Sequence, residues 1–402
     1  MKKRKKVKFN TILQLAVGAV LGAGIGYALI TAMSNKKPAG YGTLLLLSFI
    51  IIYYFSVIIH ELTHFISFKV HGTEMRLLVM GPFVFIKANN KWKFKFKFIE
   101  VFALGGIAMP NIDVIDSDEK FERYRRSFAK VLIAAPLSNV VLNIIVVATS
   151  VVCYKYVQSE LWKSYIVFVA EITTIISLFL NLSSFIKNDL AVGDYRAYSE
   201  VLKDRDFSYV CFYQYLMISD KYTIEDKKYL TENILAYLEK SLNDKSFNNY
   251  VIAAVDNMVN DYLSGKIKEI PEIAKGYIEF ASENCEELLK VYPNPENPLI
   301  LLHHIVLYYS MEESSKQKAI GLYNKIISMI SHNTKVLKYY DLRSRYVLGF
   351  EGNLEFISNK KNIKTSSLYE LFSLFDWYYN DEMKILERFR VINETETHYI
   401  LE

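Results

Sequence analysis

His60-Glu61-Leu62-Thr63-His64 sets two imidazoles four residues apart, with a carboxylate next to the first. On a helix, residues four apart share a face, so both rings can reach one metal ion. Zn²⁺ suits such a pair of nitrogens. Glu61 then stands beside the metal, where a carboxylate can take a proton from water. The chemistry this spacing suggests is hydrolysis at a zinc centre. A catalytic zinc site needs a third protein ligand and an open position.

The element that carries the motif is itself unusual. Leu44 to Ile59 is almost wholly apolar and runs directly into it. Ionisable groups in a membrane helix are costly and are retained where they have work to do. In the 402-residue chain, residues 1–195 hold four long apolar runs, whereas 200–402 mix Lys, Glu, Asn and Tyr with ordinary helical patterning. We therefore expect a mainly α protein: a polytopic membrane helix bundle with a small β-hairpin region, then a soluble all-α domain of helical hairpins. The expected division is 1–199 and 200–402, with spans at about 12–33, 41–68, 128–154 and 164–186 and the hairpin at about 75–100. Six basic residues in MKKRKKVKFN precede the first run, which is too long for a secretory signal core. The positive-inside rule then puts the amino end in the cytoplasm, and four spans return the carboxyl half there. Both the end of the second span and the end of the fourth arrive on that side. The overall charge of +5 is small, and Cys153, Cys211 and Cys285 form no CxxC pair. Neither a disulfide framework nor a thiolate zinc site is indicated.

Between the second and third spans, Leu77–Ile86 and Trp92–Ile99 read as two strands about the turn pair Asn89-Asn90. Trp92, Phe94, Phe96 and Phe98 alternate with Lys91, Lys93, Lys95 and Lys97. Such a hairpin would lie on the lipid surface, offer an edge to an extended substrate, or form a small sheet with a solvated cationic face. Gly105-Gly106 and Met109-Pro110 read as breaks. In the carboxyl half, Thr223 with Asp226 opens a helix carrying Leu230, Ile234, Tyr237 and Leu238. Further helices are expected near 273–288, 299–309, 316–330, 335–348 and 366–379. His303, His304, His332 and His398 read as packing or surface residues.

For the third ligand, the metzincin positions hold Ser67 and Val70, and His71 is out of register. Glu74 and Glu100 are available in principle. A better source is the segment from Asn181 to Arg196, with Asp189 and Asp194. Here the chain resembles the site-2 protease family of intramembrane zinc metalloproteases, in its bacterial form. HELTH in an early span, AAPLSN at Ala134–Asn139 and the Asn181–Asp194 stretch carry the resemblance, over roughly Phe55 to Leu202. In that family the second piece usually reads AGPxxN, and the third NLxP followed by DG, whose aspartate is a zinc ligand. Ala135 and Ser184 depart from the pattern, and neither aspartate is followed by glycine. The resemblance implies zinc on His60, His64 and an aspartate, for which Asp194 is preferred to Asp189, with Glu61 as the catalytic base. It also implies Asn181 and Asn139 as substrate-binding groups; interhelical hydrogen bonding is the alternative. Glu171, inside the fourth span, is either a second functional carboxylate or a packing residue paired with a hydroxyl.

The expected function is hydrolysis of a peptide bond in a membrane-embedded protein or peptide substrate, in a multi-pass protein of the bacterial cell membrane. Its partners would be that substrate, the lipid bilayer and a cytoplasmic protein bound through 200–402, without nucleic acid. The rival expectation is a catalytically degenerate membrane sensor or peptide-immunity protein acting through the helical half.

Overall fold

The computed structural model describes residues 9–33, 38–88, 91–97, 105–186, 192–216, 219, 223, 225–291, 296–329, 334–350, 354–366 and 369–400. The chain folds as two compact units, 1–113 with 118–208, and 114–117 with 209–402. The first holds α1 (Phe9–Met33), α2 (Tyr41–Val70), α3 (Asp118–Tyr156), α4 (Glu160–Ser183) and α5 (Asp194–Lys203). Three of these, α2, α3 and α4, are long and apolar enough to cross a membrane. Of α1, Gly22–Met33 is a shorter apolar stretch, and the side chains of residues 9–17 lie outside the description. Three helices, rather than the four expected spans, therefore qualify among the described residues.

The apolar sequence explains how these helices pack. Ala28, Ala32, Tyr41, Leu45, Phe168, Ile172 and Ile176 form one buried cluster joining α1, α2 and α4. Small residues on α1 let the helices approach closely where lipid supplies no hydrophobic drive. Hydroxyls tie the helices across that packing: Ser48 and Tyr165 share a 2.7 Å hydrogen bond, and Ser177 donates to the Asn139 carbonyl at 3.1 Å. The third span was expected from about residue 128, but α3 begins ten residues earlier and runs for 39 residues. At a 1.5 Å rise it is about 58 Å long, well beyond a bilayer core of about 30 Å. Its charged amino-terminal third therefore projects out of the apolar layer. There Arg125 donates to the carbonyls of Val201 and Leu202 at the end of α5, at 3.1 and 3.3 Å. Arg205 reaches Asp118 at 2.9 Å. α5 is thus fastened to α3 at the level where the apolar stretch begins.

The expected hairpin region is part of a four-stranded antiparallel sheet in the order β3-β2-β1-β4. Its strands are β1 (Glu74–Met80), β2 (Phe83–Ala88), β3 (Lys91–Phe96) and β4 (Gly106–Asn111). The run 77–86 is two strands, because Gly81-Pro82 turns the chain and Met80 pairs with Phe83. The stretch taken for breaks, Gly105 to Pro110, supplies β4, in which Met109 pairs with Leu77 and Gly106 with Met80. Proline is tolerated there because β4, among the described strands, pairs with β1 alone. Ala88 faces Lys91 across β2 and β3; Asn89, Asn90 and Phe98 lie outside the described residues. The aromatic ridge stands as expected, with Phe94 and Phe96 at 57% and 72% exposure and Trp92 5.8 Å from Phe65 of α2.

Past α5 the elements among the described residues are all helices. α6 (Arg205–Leu216) is followed by α7 (Lys228–Asn243), α8 (Asn249–Leu263), α9 (Glu272–Glu283), α10 (Cys285–Val291), α11 (Glu296–Tyr309), α12 (Lys316–Met329), α13 (Lys335–Val347), α14 (Leu354–Ser358), α15 (Tyr369–Phe372) and α16 (Asp376–Ile400). Thr223 hydrogen bonds to Asp226 at 2.8 Å before α7, as the capping pattern predicts. The single helix expected over 366–379 is instead a short turn, α15, and the start of the long α16. α11 is buried on nearly every side and forms the axis of the second unit. His303 and His304 lie in that core, on Ser344 at 2.8 Å and Asp256 at 2.6 Å, as packing residues. Beside them Arg343, wholly buried, places Nη1 2.8 Å from both carboxylate oxygens of Glu382. The Tyr340 ring lies 4.4 Å from its guanidinium carbon.

Candidate metal centre

Helical periodicity brings His60 and His64 onto one face of α2, with ring centroids 5.0 Å apart. The helix ends soon after, at His71, whose N–H turns back to the carbonyls of Ser67 and Phe68. His71 is thus a cap, not a ligand. The third group arrives from 130 residues further on. At the end of α4 the hydroxyls of Ser183 and Ser184 donate to the Leu180 carbonyl, at 2.8 and 2.9 Å. The chain then returns so that Gly193 N–H meets the Ile186 carbonyl at 2.8 Å and Arg196 N–H meets that of Ser184 at 3.2 Å. A Cβ on Gly193 would lie 2.6 Å from the Ser184 carbonyl carbon and oxygen, so only glycine permits this approach. The next residue is Asp194, the first of α5.

Asp194 points its carboxylate at both histidines. Oδ2 lies 2.9 Å from His60 Nε2 and Oδ1 3.5 Å from His64 Nε2. The three donor atoms are all within 4.8 Å of one another. Zinc with ligands at 2.0–2.2 Å in a tetrahedron holds them about 3.3 Å apart, and the two measured distances straddle that figure. Burial alone would raise the Asp194 carboxyl, but the facing His64 and His60 rings hold it well below the usual carboxylate range. It is therefore ionised, as a metal ligand must be.

The outer nitrogens test the fit. His64 Nδ1–H donates to the Val131 carbonyl of α3 at 3.1 Å, which fixes the tautomer that leaves Nε2 free to bind metal. The Asn139 amide Nδ2 donates to His60 Nδ1 at 3.0 Å, while Asn139 Oδ1 is buried with no hydrogen-bond partner. A half-turn of that amide lets Nδ1–H donate to Oδ1 and frees His60 Nε2 for a metal. The donor set and its supports fit a zinc ion.

Glu61 is buried, at 6% exposure, on the side of α2 that faces the sheet. β4 passes so close that a Cβ on Gly106 would sit 2.4 Å from Glu61 Cγ. Gly106, read as part of a break, thus gives the carboxylate its space. Of the two asparagines, Asn139 serves His60. Asn181 donates to the Ser177 carbonyl at 2.9 Å and accepts from the Tyr195 hydroxyl at 3.0 Å. Glu171 has no hydroxyl partner among the described residues. Asp189 and Glu100 lie outside the described residues, and Glu74 pairs with Lys87 at 2.9 Å. Sequence reasoning did not find Val131, Gly106, Gly193 or Tyr195. Gly106 alone left a local signal, the Gly-Gly pair.

These features define a membrane helix bundle with a His-His-Asp centre at one end of its spans. Comparison with family models places residues 48–337 in peptidase family M50. The chain belongs to that family, the site-2 proteases, whose members are zinc metalloproteases. The match extends past Leu202 well into the second unit. No curated protein and no solved structure matches the chain.

Proposed function

We propose that this chain is an intramembrane zinc endopeptidase that cuts membrane-embedded proteins or peptides. The observation that carries the reading is the convergence of His60, His64 and Asp194 on one point, with Glu61 next to His60 on the same turn of α2. His60, His64 and Asp194 would hold the ion. Zinc at such a centre supplies a Lewis acid and a water of lowered pKa. Glu61 takes a proton from the attacking water as its oxygen adds to the scissile carbonyl carbon. As the C–N bond breaks, Glu61 passes that proton to the leaving amine nitrogen. A helical substrate has its backbone groups already paired, so it must be extended at the cut. β4 runs beside Glu61 and offers N–H and C=O groups to such a segment. By the basic residues that flank the spans, we place the metal centre and the second unit on the cytoplasmic side, where 200–402 would bind a regulator or present substrate.

The test is zinc per chain in detergent-purified protein for wild type, His64→Ala, Asp194→Asn and Asp189→Asn. We expect near one zinc in wild type and Asp189→Asn, and little in the other two. Reconstituted wild type should then cut membrane-embedded peptides that Glu61→Gln leaves intact. A metal-replete wild type without zinc refutes the proposal.

A further inference from the structure

α4 carries a polar stripe that the metal centre only partly uses. Asn181, Ser177, Thr174 and Glu171 recur at steps of three or four, so they follow one side of an otherwise apolar helix. α3 answers with Asn139 and Asn143. Ser177 donates to the Asn139 carbonyl at 3.1 Å, and Thr174 to Asn143 Oδ1 at 2.9 Å. The track leads from His60, through Asn139, outward along the α3–α4 seam, and opens as it goes. Asn139 and Ser177 are buried, Asn143 is half-buried and Thr174 is exposed. Around the open part, Val141, Ile144 and Leu178 face outward at 55%, 61% and 48% exposure, a surface suited to lipid or another span.

Glu171 sits at the outer end of this track. It is 11 residues from the start of α4 and 12 from its end, which at 1.5 Å per residue is about 17 Å from either. That is close to the midplane of a bilayer core of about 30 Å. The carboxylate is half-exposed on the outward stripe shared by Val167, Thr174 and Leu178. The apolar lengths of α1 to α4 carry no lysine or arginine: none lies between Lys8 and Lys36, Lys37 and Lys69, Lys130 and Lys155, or Lys163 and Lys187. Charges at this depth pair with an opposite charge or mark a site, and this chain has no such charge to offer.

We propose that the α3–α4 seam is the docking track for substrate spans that carry a lysine or arginine at mid-bilayer, with Glu171 as the counter-charge. The assignment of the occupant as substrate rests on the endopeptidase reading. A span whose basic group meets Glu171 lies along Thr174 and Asn143, and its cytoplasmic continuation is led towards Asn139 and the metal centre. The seam thereby selects substrates by one charge deep in the membrane.

The experiment uses the full chain as Glu61→Gln, so that nothing is cut, reconstituted in phosphatidylcholine vesicles. The probes are acceptor-labelled Leu/Ala transmembrane peptides with a central Lys, Leu or Glu, titrated by energy transfer. The Lys peptide should associate about tenfold more tightly than the Leu peptide. Glu171→Gln should bring that ratio to about one, and Glu171→Lys should shift the preference to the Glu peptide. Equal binding of Lys and Leu peptides, or a Lys preference that survives Glu171→Gln, overturns the proposal. So does loss of self-association in Glu171→Gln with peptide binding unchanged, which would mean that a second copy meets the carboxyl group. Binding needs neither zinc nor cleavage. A zinc-loaded chain that cuts without a Lys preference removes the docking track alone, whereas a Lys preference in a chain that holds no zinc removes the endopeptidase reading alone.

Discussion

Replacing Gly106 by alanine probes whether β4 sets the position of the proposed base. The new Cβ would lie 2.4 Å from Glu61 Cγ, 2.7 Å from its Cδ and 2.5 Å from the Val79 carbonyl oxygen. Ordinary contact begins at 3.4 Å, so about 0.9 Å must open towards the Val79 oxygen and about 1.0 Å towards Glu61 Cγ. Val79 belongs to the β1–β4 ladder and its carbonyl yields little, so β4 must draw back at residue 106 and Glu61 must shift as well. A displacement of about 1 Å at a reacting group costs about 100-fold in rate, or about 2.7 kcal/mol of barrier. His60 and His64 need not move, so zinc content should stay near one per chain. Gly105→Ala is the control, since a Cβ there meets nothing within 4 Å. The assay is cleavage of whichever membrane-embedded peptide the wild type cuts, with zinc measured on the same preparations. A Gly106→Ala protein that cuts within threefold of wild type would refute the role given to β4. One that loses its zinc would show that the strand supports the metal site rather than the base.

Three other substitutions separate the parts of the site and of the second unit. Gly193→Ala drives a methyl into the Ser184 carbonyl and should displace Asp194, so zinc affinity falls at least tenfold by competition with a chelator. Asn139→Leu removes the partner of His60 Nδ1 and should weaken zinc binding by about 10- to 100-fold, the usual effect of an outer support; Asn139→Asp, which keeps an acceptor, should recover most of it. Arg343→Met leaves the Glu382 carboxylate buried without a counter-charge, on the Tyr339 hydroxyl at 2.6 Å, and should cost about 3–5 kcal/mol, read as a fall of roughly 10 °C in the second unit's melting temperature. Arg343→Met with Glu382→Leu should restore most of that loss, because Arg343 Nε and Nη2 already lack partners.

What could be read from the sequence follows how local each cause is. HELTH declares itself because its register is that of a single helix, and the spans because about 20 apolar residues suffice. β4 was hidden because Gly105-Gly106 and Met109-Pro110 have no strand propensity of their own; pairing with β1, some 30 residues earlier, makes them a strand. The split of 77–86 was hidden for a related reason. Leu77, Val79, Val84 and Ile86 are buried together with Leu78 and Met80, so both faces are apolar and no alternation marks the turn. The Arg343–Glu382 pair spans 39 residues, from α13 to α16, beyond any pattern along the chain.

The departures from the family pattern have the same explanation in reverse. Where a proline would stop α4, the Ser184 hydroxyl takes the Leu180 carbonyl at 2.9 Å, and the helix ends there without it. Where a glycine would follow the aspartate, Tyr195 lays its ring 4.6 Å from that of Phe185 and donates to Asn181 at 3.0 Å. The glycine present here is Gly193, on the other side of Asp194, where the close backbone approach occurs. Helix stop, tight turn and fixed carboxylate are thus all present, in different residues. With serine and tyrosine in those places, the donor atoms of His60, His64 and Asp194 still lie within 4.8 Å of one another.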